Sequence, residues 1–161
     1  VSNSAERELG SLRWLWLSAA VVGVDQLSKA MATRMLELHQ PVPVMPFLNL
    51  TLTHNTGAAF SFLSDAGGWQ RWFFVGLTLV VAVVIVVWLT RLKPGLHWLA
   101  AALSLILGGA LGNLWDRLAM GAVVDFIDVY YGSWHWPAFN VADSAICVGA
   151  VMLVVSTFKE G

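Results

Sequence analysis

Two runs of this chain, Trp72–Thr90 and Pro94–Trp115, contain no Asp, Glu, Lys or Arg. As a helix, each is long enough to cross a hydrocarbon core of roughly 30 Å. Backbone polar groups in lipid must find partners within the protein, so runs of this kind restrict the fold sharply. The rest of the composition agrees: 58% of the 161 residues are hydrophobic and 12% charged, against about 25% charged in soluble domains. Ser144–Phe158 is a shorter uncharged run that Pro137–Asp143 can extend upstream, and Trp14–Thr33 reaches span length only by including Asp25 and Lys29. The expectation is a mainly α membrane protein of one domain, 1–161. Four transmembrane helices are expected near 14–33, 72–90, 96–115 and 138–158, with outer segments at 34–71 and 117–137.

Charge suggests an orientation. Arg7 and Arg13 precede the first span, Arg91 and Lys93 separate the second from the third, and Lys159 follows the fourth. Lys and Arg near span ends favour the cytoplasm. Both termini and the Arg91–Gly95 turn are therefore expected inside, although Arg34, Arg71 and Arg117 dilute the bias. The first span contains charges and lacks a small-residue exit site, so it reads as a retained anchor rather than a cleavable signal. Net charge is −1 and no basic run is present, which argues against a nucleic-acid partner. The single Cys147 excludes an internal disulfide and reads as a small packing residue of the last span.

The outer segments are not plain linkers. Pro41, Pro43 and Pro46 stiffen the start of the first, and Phe47–Thr53 alternates apolar and polar residues as a half-buried strand does. Asn55-Thr56-Gly57 is a turn signal, and Ala58–Leu63 is the expected return strand, giving a small extracytoplasmic β-sheet cradle. The second segment, through Tyr130, Tyr131, Trp134 and Trp136, reads as an aromatic interfacial loop, since Trp and Tyr favour the headgroup zone.

Polar residues beside such spans are costly unless paired, wetted or used. Asp25 and Lys29 are one helical turn apart and suit an ion pair, either structural or within a site. Gly108 and Gly112 form a small-xxx-small face for close helix approach. Asn113 and Arg117 share a helix face, either snorkelling or entering a polar pocket. Asn140 and Asp143 are also helix neighbours, and Gly132 and Pro137 argue against a continuous helix back to Asp125. If the chain folds back and the Asp125 and Asp143 carboxylates meet, they share one proton and suit acid–base hydrolysis of a peptide bond; otherwise both simply solvate at the interface. Asp128 is the rival second carboxylate, but in extended chain it points away from Asp125's face. No His-Glu-x-x-His pattern occurs and the four His are scattered, so no metal is expected. Ser61 and Ser144 lack a nucleophile setting.

Five blocks together resemble the lipoprotein signal peptidase (signal peptidase II) family. They are Asp25–Lys29, Asn55–Phe60, Gly108–Arg117, Val124–Phe126 and Phe139–Asp143, in the family's order and spread over nearly the whole chain. The resemblance implies a four-helix aspartyl endopeptidase of the bacterial inner membrane with its site near the outer face. Such enzymes cut diacylglyceryl-modified prolipoproteins just before the lipidated cysteine. Asp125 and Asp143 match the catalytic dyad. Asn55, Gly57, Asn113, Arg117 and Asn140 match substrate-binding or site-supporting positions, and Asp25 and Lys29 match a supporting pair. The implied partners are prolipoproteins, membrane lipids and globomycin-type inhibitors; no cofactor is implied. Two other classes stay open at the level of residues. A small transporter would use the same carboxylates for proton coupling, although neither an internal repeat nor matched interrupted spans are visible. A non-catalytic assembly factor would tolerate loss of both aspartates.

Overall fold

The computed structural model describes residues 11–57 and 68–159. Four long helices carry most of the chain: α1 (Leu15–Met35), α2 (Trp69–Arg91), α3 (His97–Met120) and α4 (Val141–Lys159). Four strands, β1 (Val42–Met45), β2 (Leu48–Asn55), β3 (Val123–Tyr131) and β4 (Trp134–His135), form one antiparallel sheet in the order β1-β2-β3-β4.

Helix α3 lies at the centre and packs against the other three. Small residues make this possible. A Cβ on Gly108 would stand 2.7 Å from the Cβ of Val21, and one on Gly112 would stand 2.6 Å from the Asp25 carboxylate, so α1 lies directly on this stripe. A Cβ on Gly109 would collide with the carbonyl of Ala142, which brings the start of α4 equally close. The small-xxx-small face thus serves two partner helices. At the end away from the sheet, Ile85, Leu89 and Leu92 pack with Leu99, Leu103 and Leu107 in an apolar core between α2 and α3.

Outward faces are apolar as well. Val80, Val83 and Val84 on α2 and Val148, Val151 and Val154 on α4 are exposed, as expected of side chains that meet lipid rather than water. Among the described residues, three helices, α2, α3 and α4, are long and apolar enough to cross a membrane. Cys147 corrects the sequence reading: it faces outward. The packing face of α4 carries Ala142, Ala145 and Gly149, and Cys147 sits roughly 200° around the helix from the last two.

The loops also differ from expectation. Helix α3 continues past 115 to Met120, because Asp116 meets protein partners instead of lipid. Helix α4 starts at Val141, since Phe139 is still paired with Ile127 in an antiparallel bridge. The supposed aromatic loop is mainly β3, which is buried from Val123 through Phe126 and emerges toward Tyr131, which is exposed. Strand β2 matches the expected strand closely, but its long partner is β3, with Leu50 opposite Ile127 and Thr53 opposite Asp125. One extra β2 residue between those pairs is a bulge that re-aims the strand end. The expected return strand at 58–63 lies outside the described residues, as does Arg7.

Candidate active site

Four elements converge where the sheet meets the helices: the end of β2, the start of β3, the start of α4 and the last turns of α3. The centre is Asn140, which is fully buried. It is the N-cap of α4. Its Oδ1 accepts from the Asp143 amide at 2.9 Å, and the Asp143 carboxylate accepts from the Asn140 amide at 3.3 Å. This reciprocal pair is a capping box written Asn-x-x-Asp, and it fixes the Asp143 side chain beside the positive end of the helix. The Asn140 Nδ2 group points the other way, donating to Asp125 Oδ1 at 2.8 Å. One asparagine therefore holds both aspartates.

Asp125 is buried on β3, and its second oxygen accepts from Asn55 Nδ2 at 3.2 Å. Asn55 is itself fixed, because its Oδ1 accepts from the Gly57 amide at 2.8 Å. Gly57 has φ 102°, and a side chain there would collide with the Phe74 ring, so this turn requires glycine. Burial, and then repulsion from Asp143, push the Asp125 carboxyl up to about 7 from an ordinary 3.8, against the pull of Asn55, Asn140 and Lys29. A carboxyl poised there can hold or release a proton near neutral pH.

Asp143 receives a further bond at 2.7 Å from Asn113 Nδ2, and Asn113 Oδ1 accepts from Lys29 Nζ at 2.9 Å. Lys29 also contacts Asp25 and Asp116, each at 2.8 Å. Asp25 completes the frame by accepting from the Ala142 amide at 2.9 Å, which satisfies another free N–H of the α4 start. The Arg117 guanidinium lies over the Phe74 ring at 4.9 Å, within electrostatic reach of Asp125 and Asp143. Among the described residues its Nε is buried without a partner, and its one hydrogen bond, to the Asn113 carbonyl, is long at 3.5 Å. Asp128 stands apart. Its carboxylate accepts from Asn49 at 3.1 Å and Thr51 at 3.3 Å and meets His135 at 2.8 Å.

The chain matches the family model described as signal peptidase (SPase) II over residues 17–159. The lipoprotein signal peptidase of Pseudomonas aeruginosa strain UCBPP-PA14 is 56% identical over 153 residues, covering 94% of this chain and 90% of that protein. That of Alteromonas mediterranea is 52% identical over 155 residues, covering 96% and 85%. The chain belongs to the signal peptidase II family. Two solved bacterial membrane enzymes, obtained by the in meso method at 1.9 and 2.3 Å resolution, superpose with TM-scores of 0.82 and 0.81. Each is 31% identical to this chain and covers 92% of it, and the chain covers 94% and 88% of theirs.

In this signal peptidase II chain, Asp25, Lys29, Asn55, Asn113, Asp125, Asn140 and Asp143 belong to one hydrogen-bonded assembly, with Gly57 shaping one edge and Arg117 lining another. Sequence reasoning passed over two members. Asp116 and Gln26 are joined at 2.9 Å, and both contact the ion pair. The signal was present in the spacing: Asp116 follows Gly108 and Gly112 at the same helical interval, so it shares their packing face.

Proposed function

We propose that this chain is an aspartyl endopeptidase that removes the signal peptide from diacylglyceryl-modified prolipoproteins, cutting just before the lipidated cysteine, with Asp125 and Asp143 as its dyad. The observation that carries this reading is the Asn140 bridge, which binds both carboxylates in one frame. The ionised carboxylate takes a proton from water as the water oxygen attacks the scissile carbonyl carbon. The protonated partner hydrogen-bonds the carbonyl oxygen. Collapse of the tetrahedral intermediate breaks the C–N bond, and a carboxyl proton passes to the leaving nitrogen. Asn55, Asn113, Asn140, Asp25 and Lys29 hold the dyad, and Arg117 lines the site over the Phe74 ring.

The chain forms a single domain in the bacterial inner membrane, and α1 is its fourth span. Asp25 and Lys29 are buried against the protein there, so the charges within α1 do not meet lipid. Both termini lie in the cytoplasm and the sheet on the outer side, as the Lys and Arg distribution favours. The substrate arrives laterally as a lipidated helix, its acyl tails staying among membrane lipids. Globomycin-type inhibitors occupy the same cleft. Exposed Tyr131, Trp134 and Trp136 rest at the interface beside the cleft and gate it.

The test is cleavage of a diacylglyceryl-modified prolipoprotein by the purified enzyme, beside Asp125→Asn, Asp143→Asn and an unlipidated substrate. Loss of cleavage in both variants, with the unlipidated substrate uncut, is expected. Undiminished cleavage by either folded variant removes that carboxylate from the mechanism. Normal turnover by Trp134→Ala and Trp136→Ala removes the gate.

A further inference from the structure

Asp116 is 1% exposed, and its carboxylate ties α3 to two other elements, α1 and β3. Its Oδ2 receives both Lys29 Nζ at 2.8 Å and the Val124 amide at 3.1 Å, and its Oδ1 receives Gln26 Nε2 at 2.9 Å. Val124 is the residue immediately before Asp125 on β3, so one oxygen pins the backbone that carries the first aspartate. The same oxygen holds Lys29, which holds Asn113, which donates to Asp143. A single buried carboxylate is thereby connected to both halves of the site by separate routes. We propose that Asp116 is a positioning residue that sets the separation and relative orientation of Asp125 and Asp143, acting through Val124 on one and through Lys29 and Asn113 on the other.

This inference rests on the aspartyl reading above. Closing the α3–β3 corner could be achieved by an apolar contact, and burying a charge there is expensive without partners. The allocation of bonds points to a finer task. Gln26 donates to Asp25, to the Gly112 carbonyl and to Asp116, so it ties the two acids flanking Lys29 to the same stretch of α3. Lys29 is thus held between two fixed carboxylates, leaving its remaining donor to orient Asn113. The charged groups that face this cluster are Asp25 and Lys29 from α1, Arg117 from α3, Asp125 from β3 and Asp143 from α4. Removing the Asp116 charge leaves Lys29 less neutralised beside the dyad. The Lys29 charge, which already pulls the Asp125 carboxyl down, then acts on it more strongly, and Asp125 gives up its proton at lower pH.

The experiment measures kcat, KM and the pH–rate profile of Asp116→Asn on a lipidated substrate in micelles, with Asn113→Ala and the double variant beside it. The expected result is a kcat lowered tenfold or more, a KM within twofold of wild type, and the upper limb of the profile moved to lower pH. In the Asn113→Ala background, Asp116→Asn should lower kcat at most threefold further, because one route is already cut. A kcat within twofold of wild type, or a fall with the profile unmoved and fully additive to Asn113→Ala, overturns the proposal. If Asp116→Asn fails to fold, Gln26→Met loosens Asp116 while keeping every charge and should lower kcat threefold or more at unchanged KM. A wild-type kcat from folded Gln26→Met then overturns it. Asp125→Asn and Asp143→Asn in the same assay separate the two claims: if either folded variant still cleaves, it is the dyad that fails.

Discussion

Asp125 should make the protein less stable as pH rises from about 4 to neutrality, and Asp125→Asn should remove that dependence. The carboxyl titrates near 3.8 when unfolded and near 7 when folded, raised by burial and by Asp143. Between those values the folded state keeps a proton that the unfolded chain has released. Stability from this group is therefore full below about pH 4 and is lost as pH climbs to about 7. About three pKa units at 1.36 kcal/mol each give an upper bound on the order of 4 kcal/mol. Asparagine cannot ionise, but its amide offers only one acceptor where Asp125 presents two, to Asn140 and Asn55. Losing one such bond costs about 1 kcal/mol. The variant should thus be about 2–3 kcal/mol more stable than wild type at pH 8 and slightly less stable at about pH 3.5. Thermal unfolding in one detergent at both pH values reads this directly, with a Tm difference of roughly 4–10 °C at pH 8. The sign change matters more than the size. A variant whose advantage is constant with pH, or grows as pH falls, would falsify the raised carboxyl.

Three further outcomes are expected. Lys29→Met leaves Asp25 and Asp116 buried without their cation, a loss of about 3–5 kcal/mol that should appear as a sharply reduced yield of folded protein in detergent. Gly109→Ala drives a Cβ into the Ala142 carbonyl and pushes α4 from α3; the loss should be about 1–3 kcal/mol in thermal unfolding, with cleavage impaired because Asp143 moves too. Burial alone would raise the Asp128 carboxyl, but bonds from His135, Asn49 and Thr51 hold it below the ordinary range. Its stabilisation is present above about pH 4 and lost as pH falls further. Amide exchange through Tyr131–Trp136, corrected for its intrinsic pH dependence, should quicken at pH 3 and, in His135→Ala, already at pH 7.

Much of the site was legible because its chemistry is local. Asn140 and Asp143 have capping-box spacing, Asp25 and Lys29 have ion-pair spacing, and Asn55-Thr56-Gly57 announces a turn. The two aspartates were readable as a pair only on the condition that the chain fold back, and no periodicity in 125–143 states that it does. Asp116 was overlooked for a related reason: its partners Lys29 and Val124 lie on elements that no local spacing connects to it.

The sequence by itself determined the helical membrane class and the approximate helix limits, since long uncharged runs leave few other ways to satisfy a backbone in lipid. It also determined which residues are chemically able to act. Tertiary structure alone decided the partner of β2. Strand pairing depends on which chain segment α3 delivers after Met120, and that contact is remote in sequence. It also decided which way Cys147 faces, because α4 is apolar nearly all round and only its packing against Gly109 and Ala102 chooses an inside. Above all, it decided that Asn140 reaches Asp125 on one side while capping Asp143 on the other. That geometry comes from the start of α4 meeting β3, and no local pattern encodes it.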